Sequence, residues 1–126
     1  MIPDELRQLL DAHEYGVLAT INPDGSPQSS VIWATYDDEA VIFSTIRGRR
    51  KTRNLERDPR ASLCVYQRSD PNRYVEVRGV VSLTEEGGPE LIERLSHAYD
   101  GQTFTEGNPA NVRVVARLTP TRVIVY

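Results

Sequence analysis

Turn signals recur along this chain and divide it into short apolar segments. The clearest is Asn22-Pro23-Asp24-Gly25, in which proline presets one backbone angle and glycine accepts a positive φ. Asp37-Asp38-Glu39 and Ser69-Asp70-Pro71-Asn72 predict two further turns. Because tight turns join antiparallel neighbours, the chain is constrained to an antiparallel sheet of short strands.

The apolar segments between these turns predict about six strands. They span residues 15–21, 27–36, 40–46, 61–67 and 73–83, followed by two segments, 112–118 and 122–126, with a break at Thr119-Pro120. Gly79 indicates a bulge or tight bend in the fifth strand. Helices are predicted over residues 4–13 and 90–99, and a shorter one begins near Arg49 or Arg50 and is ended by Pro59. Closure removes exposed sheet edges, so we expect a small β-barrel with peripheral helices.

Residues 44–59 concentrate positive charge in a chain whose formal net charge is -3. The stretch has only two acids, Glu56 and Asp58, and its cations are Arg47, Arg49, Arg50, Lys51, Arg53 and Arg57. Several of these cations fall in the first turn of the predicted helix, where the partial positive charge of the helix terminus disfavours them. Free backbone N–H groups at the same place favour an anion. The stretch is therefore either an anion or phosphate site, which we favour, or a solvated basic turn.

Composition narrows the classes of function. At 126 residues we expect one domain, residues 1–126, and no apolar run approaches the ~20 residues needed to cross a bilayer. Cys64 is the single cysteine, and the N-terminus has no signal-peptide apolar core, so we expect a cytoplasmic protein. The acidic pI of about 5.4 argues against a nucleic-acid partner.

The side chains offer no standard catalytic arrangement. His13 and His97 lack metal-ligand spacing, so no metal site is predicted, and Cys64 is expected to be a small core residue. No catalytic side chain is therefore predicted. A chain this short, without a catalytic dyad, can still be an enzyme if a bound cofactor carries the reaction, and the basic stretch is the place for that cofactor's phosphate.

Two segments resemble those of the flavin/deazaflavin split-barrel superfamily, the group related to pyridoxamine-phosphate oxidase. They are GVLATINPDGSPQSS, followed by a strand, and then RGRRKTRNLERDPRASL. The likeness is greatest to the small members that use coenzyme F420, a deazaflavin with a phosphate and a polyglutamate tail. It implies a six-stranded antiparallel split β-barrel of Greek-key type that forms a homodimer, with two cofactors in grooves between the subunits.

The resemblance also implies which residues bind the cofactor. Arg49 and Lys51 match the positions that hold the phosphate, with Arg50 between them and Asn54 one turn on. Ser44 and Thr45 match positions beside the phosphate and ribityl chain, and the strand that backs the ring matches residues 28–33. Within that strand Gln28, Ser30 and Trp33 are the candidates; Trp33 either walls the ring pocket or fills the dimer core, which we favour.

Three functions remain open at this point. The first is an F420-dependent oxidoreductase that passes a hydride to a conjugated small-molecule substrate, with a proton from solvent or Tyr74. The second is an FMN-dependent oxidoreductase like pyridoxamine-phosphate oxidase. The third is a non-catalytic module that binds F420 or flavin. We favour F420, because the local sequence is closer to members that use it.

Overall fold

The computed structural model describes residues 2–126 as seven strands and three helices. All strand pairs are antiparallel, and the order across the sheet is β2-β1-β5-β6-β7-β4-β3. The strands are β1 Gly16–Ile21, β2 Pro27–Ile32, β3 Ala34–Tyr36, β4 Val41–Ile46, β5 Arg60–Gln67, β6 Asp70–Thr84 and β7 Arg113–Val125. The helices are α1 Asp4–Asp11, α2 Arg50–Arg57 and α3 Gly88–Asp100. None of these helices is both long and apolar enough to cross a membrane.

The sheet curls because its two edge strands are consecutive in the chain. Strands β2 and β3 lie at opposite ends of the strand order, yet only Trp33 separates them in sequence. The predicted strand over residues 27–36 therefore divides at Trp33, its first part pairing with β1 and its second with β4. The predicted count of six strands is wrong for this reason, whereas the mainly antiparallel β class with peripheral helices is confirmed.

The last strand is continuous, and its irregularity is a bulge. Gly79 pairs with Pro120 and Arg78 pairs with Arg122, which leaves Thr121 without an opposite residue. A Cβ atom on Gly79 would lie 2.1 Å from the carbonyl oxygen of Thr119, so only glycine allows this close backbone approach. The predicted bulge at Gly79 is confirmed, but the predicted break of the strand at Thr119-Pro120 is wrong.

The core fills the inside of the curled sheet, and α1 covers one opening. Its largest fully buried side chains include Phe43, Leu18, Leu63 and Leu118, one from each of four strands. From α1, Leu6, Leu9 and Leu10 are buried, as their helical spacing predicts. The helix ends two residues before the predicted end, and His13 has a positive φ of 56°.

Candidate functional site

Helix α2 begins with cations and without an acidic residue. Arg49 is its N-cap and makes no side-chain capping hydrogen bond, and Arg50 and Lys51 are its first helical residues. The helix ends at Arg57, two residues before Pro59, so the predicted helix is confirmed. Because no side chain caps the first turn, its N–H groups keep their capacity to bind an anion.

Two buried polar contacts fix helix α2 against the sheet. The Thr52 hydroxyl donates to the Ile46 carbonyl over 2.7 Å and lies 2.7 Å from the Thr45 hydroxyl. On the other side, the Asn54 amide donates to Thr20 Oγ1 over 3.0 Å. All of these side chains are buried, so the direction of the helix, and with it the position of its first-turn cations, is set by β1 and β4.

A cleft of about 140 Å³ lies at the first turn of helix α2. It is bounded by the end of β2, by β4 and by helix α3, and its lining combines cationic, hydroxyl and apolar side chains. The lining residues are Val31, Ile32, Trp33, Ser44, Arg49, Lys51, Ile92 and Leu95. The cleft thus brings together four residues predicted from the sequence, Trp33, Ser44, Arg49 and Lys51.

Lys51 is half-buried in this cleft and has no carboxylate partner among residues 2–126. Its Nζ donates one long hydrogen bond of 3.4 Å, to the hydroxyl of Ser30, which joins a fifth predicted residue to the group. Burial, and then the positive charges of Arg49 and Arg113, lower the pKa of Lys51. A bound anion would favour the charged form of Lys51 and so offset both effects, which makes the cleft electrostatically suited to a phosphate.

Arg113 lies beside this cleft and was not predicted. Its Nη1 donates to the Ser44 hydroxyl over 3.3 Å, and its Nε donates to a Glu106 carboxylate oxygen over 2.8 Å. The sequence alone gave no indication of it, because Arg113 lies far along the chain and meets Ser44 only through the pairing of β4 with β7.

Four predicted site residues lie elsewhere. Thr45 and Asn54 are fully buried, and their polar atoms bond to Thr52, Thr20 and Asn22 as part of the helix anchor. Gln28 accepts a hydrogen bond from Thr20 and donates to the Ser29 carbonyl. Arg50 faces a separate pocket with Asn22, Pro23 and Asp24. Their roles as cofactor ligands stay predictions, and the cleft geometry gives them no support.

Trp33 lines the cleft and stacks on Tyr99 of helix α3. The two ring centroids are 5.5 Å apart and the ring planes differ by 11°. The Tyr99 hydroxyl accepts a hydrogen bond from the Ala34 N–H over 3.2 Å and lies 2.8 Å from the Glu14 carbonyl oxygen. Tyr99 therefore holds α3 against the point where β2 gives way to β3, and it supports the aromatic wall of the cleft.

A larger pocket of about 340 Å³ lies on the outer face of β1, β5 and β6. It includes two cations, but both are already neutralised: Arg60 pairs with Asp58 and Arg78 pairs with Glu76. The Asp58 carboxyl keeps a pKa of about 2 through its hydrogen bonds from Arg60. The smaller cleft at helix α2 is the better anion site, because Lys51 there is uncompensated.

The sheet is antiparallel and curled, and a cationic cleft lies where helix α2 follows β4. Together these features place the protein in the class of split-barrel proteins. The chain belongs to the pyridoxamine 5'-phosphate oxidase family, which it matches over residues 2–126. The predicted resemblance to this superfamily is thereby confirmed.

Solved structures show the same fold over nearly the full chain. An F420 reductase is 34% identical, with a TM-score of 0.85, and the match covers 98% of both chains. A conserved hypothetical protein from Mycobacterium tuberculosis is 27% identical, with a TM-score of 0.81, covering 100% of this chain and 84% of the other.

Curated relatives match a shorter region. A pyridoxine/pyridoxamine 5'-phosphate oxidase from Rubrobacter xylanophilus is 38% identical over 71 residues, which are 56% of this chain and 32% of that protein. The matched region thus spans about a third of that relative's length.

Proposed function

We propose that this protein is an F420-dependent oxidoreductase. The observation that carries the proposal is Lys51, a half-buried cation without a carboxylate partner among residues 2–126, beside Arg49 at the uncapped start of helix α2. The likeness to an F420 reductase over 98% of both chains supports the choice of cofactor. The substrate we propose is a small conjugated molecule with an electrophilic carbon.

The cleft residues fit the phosphate of such a cofactor. Arg49 offers planar, bidentate donors, Lys51 supplies a compact charge, and the Ser44 hydroxyl adds a neutral donor. Trp33, Ile92 and Leu95 supply the apolar surface that a ring system needs. When bound and reduced, the deazaflavin would supply the hydride. The chain's own part is to hold the phosphate, orient the ring and exclude water.

We further propose that the working form is a homodimer whose second copy completes the site. The cleft measures about 140 Å³, whereas pockets for whole cofactors and drug-sized ligands occupy roughly 300–1,000 Å³. Val31 at its rim is 64% exposed, and a second copy packed against this rim would bury it. Sedimentation of the purified protein at several concentrations tests the proposed dimer. A dimer supports the proposal, and a protein that stays monomeric while it binds the cofactor contradicts it.

No side chain at the cleft is assigned to proton transfer, so solvent delivers the proton in this proposal. Tyr74 is less suitable than the sequence suggested, because its ring stacks on Tyr126 at 4.3 Å between centroids and it does not line the cleft. The proposal keeps the cytoplasmic location expected from the sequence.

An FMN-dependent oxidoreductase is the second candidate, and the family match to pyridoxamine 5'-phosphate oxidase favours it. Titration of the purified protein with F420 and with FMN separates the two, followed by single-turnover mixing of the reduced complex with enones and quinones. Tighter binding of F420 and oxidation of the reduced cofactor by an acceptor support the first candidate. Preferential binding of FMN overturns it, and tight F420 binding without any turnover indicates a non-catalytic module.

A further inference from the structure

The guanidinium of Arg113 is held in one orientation by the loop that precedes it. Nε and Nη2 donate to the two Glu106 carboxylate oxygens over 2.8 and 3.2 Å, so the carboxylate takes one whole edge of the guanidinium. The guanidinium carbon also lies 4.7 Å from the centre of the Phe104 ring. The side chain of Arg113 is only 11% exposed, so these contacts fix it as part of the framework.

The remaining nitrogen of Arg113 is directed toward the cleft. Nη1 donates to Ser44 Oγ over 3.3 Å, and Ser44 lines the cleft with Arg49 and Lys51. Because the Ser44 hydroxyl accepts this bond, its own proton stays available for donation to a ligand. The Arg113 charge also contributes to the lowered pKa of Lys51, after burial and Arg49, which places the two cations within electrostatic reach of each other.

The charges around the cleft do not balance. Three cations converge there, Arg49, Lys51 and Arg113, and among residues 2–126 Glu106 is the only carboxylate bonded to any of them. Hydrogen bonds from Arg113 and Asn111 hold the pKa of the Glu106 carboxyl below its usual range, so Glu106 is ionised at neutral pH. Two positive charges are therefore left for an anionic ligand.

We propose that Arg113 is a third cationic ligand of the cofactor phosphate, contacting it through Nη1 together with Ser44, while Glu106 and Phe104 keep its guanidinium in position. This assignment rests on the proposed function. It also gives the loop between α3 and β7 a role, because that loop supplies both residues that orient Arg113.

The test compares Arg113→Gln with Arg117→Gln. Arg117 is a matched control: it lies on the same strand, its side chain is 33% exposed, and it pairs with a carboxylate, that of Asp37 at 2.5 Å. Each variant is titrated with F420 and FMN and with their phosphate-free counterparts, the bare deazaflavin chromophore and riboflavin. We expect Arg113→Gln to weaken, by about tenfold, the binding of the phosphate-bearing cofactor that the wild-type protein prefers. Binding of its phosphate-free counterpart should be unchanged, as should all binding by Arg117→Gln.

Equal affinities of the two variants for the phosphate-bearing cofactor would overturn the assignment, as would an equal loss for the phosphate-free counterpart. If Arg113→Gln fails to fold, Arg113→Lys is tested instead. Lysine keeps the charge, but its single ammonium group cannot bind Glu106 and the phosphate at the same time. A Lys variant with wild-type affinity also overturns the assignment. Failure of the proposed function is distinct, since it is measured on the wild-type protein, which would then prefer FMN or bind neither cofactor.

Discussion

The side-chain amide of Asn54 on helix α2 lies 3.0 Å from the hydroxyl oxygen of Thr20 on β1, and both residues are buried. The same nitrogen lies 3.0 Å from Oδ1 of Asn22. One asparagine therefore ties the helix that bears the cations to the first strand and to the turn that follows it. Asn54 therefore affects the cleft by positioning helix α2, and it does not itself line the cleft.

Replacing Asn54 by alanine should destabilise the protein and weaken cofactor binding together. The change leaves the buried Thr20 hydroxyl without this donor, which costs about 1–3 kcal/mol of unfolding free energy. Urea unfolding measures the loss. Arg53→Ala on the same helix is the control, because Arg53 is exposed, and it should change stability by less than about 0.5 kcal/mol. Equal stability of the two variants would show that the Asn54 contact does not anchor the helix.

The lowered pKa of Lys51 predicts an unusual dependence of stability on pH. A lysine whose folded-state pKa lies below its ordinary value of 10.5 binds fewer protons when folded than when unfolded, within the interval between those two pKa values. The destabilisation from this lowered pKa is fully present below the folded-state pKa and is relieved as the pH rises through that interval. Lys51→Met should therefore be more stable than the wild type at about pH 7, with the difference shrinking toward about pH 10.

Urea unfolding of the ligand-free protein at several pH values checks this. Arg53→Met is the control, because an exposed arginine stays charged throughout the range, so its difference from the wild type should not vary with pH. A stability difference for Lys51→Met that grows with pH would contradict the burial of an unpaired cation.

Gly79 and Gly107 should respond in opposite ways to alanine. At Gly79 the new Cβ would lie 2.1 Å from a backbone oxygen, which cannot move aside as a side chain can, so we expect a loss of about 1–3 kcal/mol or more. At Gly107 nothing lies within 4 Å, and alanine should be neutral or stabilise the protein by up to about 1 kcal/mol. Thermal unfolding of the two variants measures both; a tolerated Gly79→Ala would mean that the bulge is not where the pairing places it.

Local patterns were enough to predict most of the strand segments, helix α2 and the family resemblance. The turn at Asn22-Pro23-Asp24-Gly25 and the cations ahead of Pro59 are signals carried by neighbouring residues, and α2 begins at Arg50 within the predicted range. The division of one predicted strand at Trp33 was not predictable in this way, because it depends on the pairing of each half with a different strand.

The candidate site was predictable only where its residues share a segment. Arg49 and Lys51 are neighbours in sequence, and both reach the cleft. Arg113 joins them through the pairing of β4 with β7, a partner distant in the sequence that no local pattern reports. Thr45 lies on the buried face of β4 with Val41 and Phe43, where it meets Thr52, so strand alternation directs it away from the cleft.

The most direct test of the central claim is a fluorescence titration of F420 into the wild-type protein and into the double variant Arg49→Ala/Lys51→Ala, with Arg53→Ala as the control. Loss of two charge-assisted contacts should weaken binding by about 3 kcal/mol, roughly a hundredfold in Kd, while the fold survives and the control binds as the wild type does. Equal affinity of all three proteins would contradict a phosphate site at the start of helix α2.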